Sequence, residues 1–153
     1  MNNEKKLCLV CSSGGHFYQL YSLRDFWSGY DHFWVTFQGF DTNSLLKNEK
    51  VIFAFSPTSR NLKNLIKNFF LALKILQEEK PDIIVSTGSG VAVPFLILGK
   101  LFKKKVIHIE SLTRIQDLSL TGKLVHFFCD HHFVQWPELA EKYKRCKYEG
   151  AVI

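Results

Sequence analysis

Residues 7–11, Leu-Cys-Leu-Val-Cys, are five apolar residues in succession, and they stop abruptly at Ser12-Ser13-Gly14-Gly15-His16. An unbroken apolar run of this length reads as a strand buried on both faces, the kind found inside a parallel sheet. Beyond the glycines, Phe17, Leu20 and Leu23 fall at helical spacing, so a helix is expected over 16–27. Strand, glycine turn and helix start in that order constrain the chain to the α/β class. They also make the turn a candidate anion site, because glycine lets the backbone approach a ligand and unpaired N–H groups at a helix start favour a phosphate.

The rest of the chain repeats the alternation. Strands are expected at 32–37, 51–55, 83–86, 106–109 and 132–135, with a turn and a final strand within 148–153. Helices are expected at 44–48 (capped by Asp41 or Thr42), 61–77, 91–102, 119–128 and 138–144. The expected fold is therefore α/β: one Rossmann-like domain over 1–153, a parallel sheet flanked by helices on both faces. Such sheets bind ligands at the carboxyl ends of their strands. That singles out the loops 12–16, 87–90, 110–114 and 135–136.

With 46% hydrophobic and 22% charged residues, the chain is globular rather than disordered. Its net charge of +6 favours an anionic partner: a diphosphate, an anionic membrane or a nucleic acid. A nucleic acid is set aside, since the lysines are scattered and no recognised binding motif is present. A dinucleotide enzyme is set aside because Ser-Ser-Gly-Gly-His replaces G-x-G-x-x-G and the second strand ends in Phe37-Gln38, with no acidic residue.

No apolar run approaches the ~20 residues of a membrane span, and Met-Asn-Asn-Glu-Lys-Lys does not resemble a signal peptide. The expectation is a cytoplasmic chain with peripheral membrane contact. Within 61–77, Leu62, Leu65, Ile66, Phe69, Phe70, Leu73 and Leu76 share one helical face, flanked by Arg60, Lys63, Lys67 and Lys74. Such a face suits packing on the sheet or lying on an anionic membrane.

Cys8 and Cys11 form a C-x-x-C inside one strand, where an offset of three points them to opposite faces, so they read as small buried hydrophobes. His126, Cys129, His131 and His132 lack a second ligand pair at zinc spacing. No metal and no cofactor is expected.

Five motifs occur in order: Ser12-Ser13-Gly14-Gly15-His16, Thr87-Gly88-Ser89-Gly90 with Pro94, Ile109-Glu110-Ser111 with Arg114, Thr121-Gly122-Lys123-Leu124, and Val134-Gln135-Trp136. Together they resemble the acceptor-side subunit of split, two-chain GT-B glycosyltransferases. That family comprises the Alg14-like, membrane-anchoring subunit of the eukaryotic enzyme that adds the second N-acetylglucosamine to dolichyl diphosphate. It also includes bacterial capsule and exopolysaccharide proteins of the PssD and CpsF types. The N-terminal half of MurG is more distantly similar.

The resemblance implies a chain equivalent to the N-terminal half of a GT-B enzyme and inactive alone. A separate donor-binding subunit (PssE- or Alg13-like) would bring the UDP-sugar. The acceptor would be a polyprenyl diphosphate-linked sugar at the inner face of the cell membrane. Eukaryotic members usually carry an N-terminal membrane helix that this sequence does not show, which leaves attachment to the surface around 60–75. The alternative is a non-catalytic scaffold that binds and activates the donor subunit.

Sugar transfer to a hydroxyl needs a held acceptor and a base for its proton. Ser12, Ser13, Gly14 and Gly15, and on the next loop Gly88, Ser89 and Gly90, are expected to hold the diphosphate, with Ser111 and Arg114 also binding substrate. His16 is one candidate base, since histidine titrates near neutrality; equally, it donates to the diphosphate or caps its own turn. Glu110 is the other: it takes the proton, orients His16, or merely pairs with Arg114 outside the site. Gln135 and Trp136 are expected to line the cleft, although an aromatic there is more often core; Thr121, Gly122 and Lys123 are expected to meet acceptor or partner or, equally, to form a helix start with a solvated lysine.

Overall fold

The computed structural model describes residues 3–152. One sheet of seven parallel strands runs in the order β3-β2-β1-β4-β5-β6-β7. The strands are β1 Asn3–Cys11, β2 Tyr30–Thr36, β3 Val51–Phe53, β4 Ile83–Gly88, β5 Lys105–Ile109, β6 His131–Phe133 and β7 Cys146–Lys147. The helices are α1 Gly15–Tyr21, α2 Arg24–Trp27, α3 Phe40–Leu45, α4 Leu62–Glu79, α5 Ala92–Leu101, α6 Leu120–Val125 and α7 Pro137–Lys142. This is the Rossmann-like α/β sheet expected from the alternation.

From β1 the chain winds outward through β2 and β3, and α4 then returns it to β4 on the other side of β1. The winding reverses between β1 and β4. Loops diverge there, which opens the crevice that such sheets use for ligands.

The core lies on both faces. Leu7, Leu9 and Cys11 pack with Phe17, Leu20, Trp27 and Trp34 on the side of α1 and α2. Cys8 and Val10 pack with Ala72, Ile75, Phe95 and Leu96 on the side of α4 and α5. The C-x-x-C is thus divided between faces, and burial pushes the Cys11 thiol up to about 12.

Local chemistry moves several expected boundaries. The helix expected over 16–27 is two, because Ser22 Oγ donates to the Gln19 carbonyl (2.8 Å) and Leu23 leaves helical geometry. The helix expected over 44–48 starts at Phe40, where the Thr42 hydroxyl accepts from Gly39 N–H (3.0 Å). The final strand is Cys146–Lys147, and 148–152 lie outside any strand; Ile153 falls outside the described residues.

The apolar positions of α4 serve two purposes. Ala72, Ile75 and Leu76 are buried against the sheet, whereas Leu62, Ile66, Phe69 and Phe70 face outward. Asn68, fully buried, accepts from Phe55 N and donates to Phe55 O, each at 2.9 Å. This two-way bond fixes the loop after β3.

Candidate functional site

Loops at the carboxyl ends of β1, β2, β3, β4 and β5 enclose one cleft above the β1–β4 divide. Its larger lobe, about 550 Å³, is bordered by His16, Thr58, Ser59, Arg60, Ser89, Gly90, Ser111, Arg114, Thr121 and Leu124. A second lobe of about 420 Å³ shares His16 and Ser89 and reaches Ser12, Ser13 and Gln38. Two arginines, one histidine and a row of hydroxyls line the lobes, and among the described residues no carboxylate does. Such a lining suits an anionic ligand rich in oxygen.

His16 is fixed by reciprocal bonds to β4. Its Nδ1 donates to the Thr87 carbonyl (2.7 Å), and the Thr87 hydroxyl donates to the His16 carbonyl (2.6 Å). A carbonyl only accepts, so the neutral ring carries its proton on Nδ1 and leaves Nε2 bare. Gly88 stands against that ring. A Cβ there would lie 3.2 Å from His16 Cε1, and the φ of +115° is one that side-chain-bearing residues rarely adopt.

The loop 88–91 leads into α5, a helix of ten residues. Gly88 N–H is committed to Ser86 Oγ (2.9 Å), but the amides of Ser89, Gly90 and Val91 donate to no protein group among the described residues. Ser89 Oγ is buried and likewise without a partner. Unpaired N–H groups at a helix start and an unpaired hydroxyl, on the wall shared by both lobes, are the features an anion completes.

The first glycine turn departs from its expected role. Gly14 N–H donates to the Asp41 carboxylate at 2.7 Å, so that amide is already satisfied by a negative side chain. Gly14 and Gly15 are exposed and do not border the cleft, whereas Ser12 and Ser13 do.

Glu110 is not brought to His16. It is 1% exposed; its Oε1 accepts from Ser111 N and its Oε2 from Ser119 N and Oγ, each at 3.0 Å. Ser119 Oγ in turn accepts from Gly122 N (2.9 Å) and caps α6. A Cβ on Gly122 would collide with Glu110 Oε2, so glycine is what admits the carboxylate. Glu110 therefore anchors the loop that carries Ser111 and Arg114 to the cleft. His108, 3.9 Å from Glu110 Oε2, is neutral, its ring pushed down to about 3 by burial.

Gln135 and Trp136 serve loops rather than the cleft. Gln135 Oε1 accepts from Val152 N (2.6 Å), and Trp136 Nε1 donates to the Leu112 carbonyl (2.8 Å). Sequence reasoning missed Thr58, Ser59 and Arg60, which sit in the crevice between His16 and α4. Their place at the end of β3 was the available signal, because that end belongs to the same edge as the other loops.

The sequence matches the family described as "Oligosaccharide biosynthesis protein Alg14 like" over residues 7–152. The chain belongs to this Alg14-like family. Among its relatives, the Yarrowia lipolytica "UDP-N-acetylglucosamine transferase subunit ALG14" is 39% identical over 92 residues, 56% of this chain and 43% of that one. The Homo sapiens protein of the same name is 36% identical over 94 residues, 58% of this chain and 44% of that one. The matched segment thus spans under half the length of these curated relatives.

Among solved structures, Acinetobacter baumannii MurG superposes with a TM-score of 0.71 at 17% identity, over 88% of this chain and 42% of that one. The UDP-GlcNAc 2-epimerase of Methanocaldococcus jannaschii gives 0.73 at 16% identity, over 95% and 45%. These likenesses concern the fold: this Alg14-like chain has the architecture of one half of a two-lobed GT-B enzyme.

Proposed function

We propose that this chain is the acceptor-binding subunit of a two-component glycosyltransferase. In this reading a second polypeptide presents a UDP-sugar, and the acceptor is a sugar carried on a polyprenyl diphosphate. The observation that carries it is the cleft itself: Arg60, Arg114, the open start of α5 and the hydroxyl row line it together, with no carboxylate among the described residues that border it. A diphosphate fits that lining, and the exposed Leu120 and Leu124 continue it with an apolar rim for the first isoprene units.

The chemistry follows from His16. Nε2 takes the proton of the acceptor hydroxyl as its oxygen attacks the anomeric carbon. The bond from that carbon to UDP breaks, and UDP leaves as the anion with the partner. The imidazolium so formed keeps its Nδ1–H on the Thr87 carbonyl, which stabilises the new charge. Glu110 takes no part in the proton transfer and instead holds the third loop.

No helix among the described residues is long and apolar enough to cross a membrane. Peripheral contact fits the outward face of α4, where exposed Leu62, Ile66, Phe69 and Phe70 alternate with Lys63 and Lys67. A contact of that kind sets the cleft at the cytoplasmic surface of the membrane that carries the lipid acceptor, in polysaccharide or lipid-linked oligosaccharide synthesis.

The test is reconstitution. The chain is purified alone and with a donor-binding subunit, then assayed with a panel of UDP-sugars and a short-chain polyprenyl diphosphate-linked sugar. Transfer by the pair and none by either chain alone is the expected result. Turnover by the single chain, or a pair whose rate is indifferent to changes in His16, Arg60 and Arg114, would replace this reading with a complete enzyme or a scaffold respectively.

A further inference from the structure

The run His126, Cys129, His131, His132 is unused by the function proposed above. The fold breaks this run up and builds another group. Cys129 joins the core cluster on the α4–α5 face, and His131 stacks on Phe133. Cys146, on β7, arrives in their place, its Sγ 3.6 Å from His126 Nδ1. With His132 from β6 the group is three, and one ligand-type atom from each lies within 4.8 Å of the others. His132 is shared with a second such group, His108 and Glu110.

Two observations point to a ligand. His108 and His132 are 0% and 1% exposed, and none of their ring nitrogens has a hydrogen-bond partner among the described residues. An unpaired polar atom costs about 1–3 kcal/mol when buried, so proteins seldom keep several together without an occupant. The second observation is the spacing of Cys146 and His126. Zinc bonds of about 2.3 Å to sulfur and about 2.05 Å to nitrogen, opened at the tetrahedral angle, set the two ligand atoms roughly 3.6 Å apart. A thiol–imidazole hydrogen bond accounts for that one distance, but it leaves His132 unexplained.

We propose that His126, His132 and Cys146 bind one Zn²⁺ ion, with His108 and Glu110 behind His132 as its supporting shell. Imidazole nitrogen with thiolate sulfur is a donor set for zinc and not for magnesium or calcium. Charge also closes: the ion's two positive charges meet the Cys146 thiolate and the Glu110 carboxylate, and the thiol proton leaves to solvent. The ion would join the end of α6 to β6 and β7. Through Glu110 it would brace the loop that brings Ser111 and Arg114 to the cleft. Its role is structural, and it stands independently of the transferase reading.

The full chain, prepared without a histidine tag, is analysed for metal as purified, stripped with a chelator, and titrated separately with Zn²⁺ alone and Co²⁺ alone. One zinc per chain is expected, together with visible cobalt bands and a near-ultraviolet sulfur-to-cobalt band. Cys146→Ser should abolish the sulfur band and weaken Zn²⁺ binding by more than the roughly 100-fold that loss of a supporting residue costs. Cys129→Ser should change neither. Should Cys146→Ser fail to fold, sulfur at the zinc X-ray absorption edge of the unmodified chain decides the same point. A stripped chain that takes up no stoichiometric Zn²⁺, or a sulfur band that survives Cys146→Ser, overturns the proposal.

Discussion

His16 and Thr87 hold each other by two bonds of opposite sense, ring Nδ1 to carbonyl at 2.7 Å and hydroxyl to carbonyl at 2.6 Å. One bond sets the tautomer and the other sets the backbone that carries the ring. This pairing of the start of α1 with β4 places a bare Nε2 at the divide where the sheet's winding reverses. His16→Ala should lower kcat of the reconstituted pair by about 100- to 10,000-fold, the usual worth of a positioned general base. Circular dichroism of the variant should be unchanged, because the half-buried ring contributes little to the core. Equal kcat for both proteins would remove His16 from the proton transfer.

Gly88→Ala tests the same geometry without touching the histidine. The new Cβ meets the His16 ring at 3.2 Å, and a φ of +115° strains any L residue. The strain should cost about 1–3 kcal/mol of stability. The expected kinetic result is a loss approaching that of His16→Ala, because the ring is displaced from its carbonyl. Thermal denaturation read beside kcat separates the two effects.

Glu110→Gln distinguishes an anchor from a base. Glutamine retains one acceptor oxygen but turns an NH₂ toward donors that both carboxylate oxygens now satisfy at Ser111 and Ser119. The mismatch should destabilise the chain by about 1–3 kcal/mol and raise KM as the loop loosens, with kcat changed less. A collapse of kcat with unchanged melting would make Glu110 the base instead.

Glu79 predicts a pH dependence. Its carboxylate accepts from Lys50 Nζ (2.6 Å) and Lys6 Nζ (2.7 Å), tying the end of α4 to β1 and to the residue before β3. Those two bonds, Lys50's first, hold it below its ordinary 4.5. A folded-state value lowered in this way adds stability above pH 4.5, and the gain disappears as pH falls through the folded value. Glu79→Gln should therefore cost roughly 0.5–1 kcal/mol at neutral pH in low salt and nothing near the acid limit. Urea titrations of both proteins across that range show whether the curves converge.

The two strands beside the divide were legible because each is a short apolar run closed by serine and glycine, residues 7–11 before Ser12 and residues 83–85 before Ser86. Periodicity found α4 to within two residues at its C-terminal end, and Asn61 fixed its start through a side-chain cap. Less visible were contacts made by side chains far apart in the chain. Asp41 satisfying Gly14 is 27 residues from its partner, and Thr87 is 71 from His16. Nothing local marks either pairing. Glu110 was found as a singular residue at a strand end, but its burial came from Gly122 and Ser119, which only the folded loop brings beneath it.

The face of α4 yields the last prediction. Leu62 and Phe70 are 70% and 63% exposed, far too open for residues whose purpose is the core, and they lie beside Lys63 and Lys67. Apolar side chains buried in the acyl boundary and lysines among anionic headgroups would act together. Leu62→Glu with Phe70→Glu removes the apolar contribution, sets negative charge beside the lysines, and leaves Ala72, Ile75 and Leu76 in place against the sheet. Co-sedimentation with vesicles containing anionic lipid should fall at least tenfold for the double variant, while its melting temperature stays within a few degrees. For the unmodified chain, binding should weaken as salt is raised, since only the lysine share is screened. Retained sedimentation by the double variant would place the membrane contact on another surface.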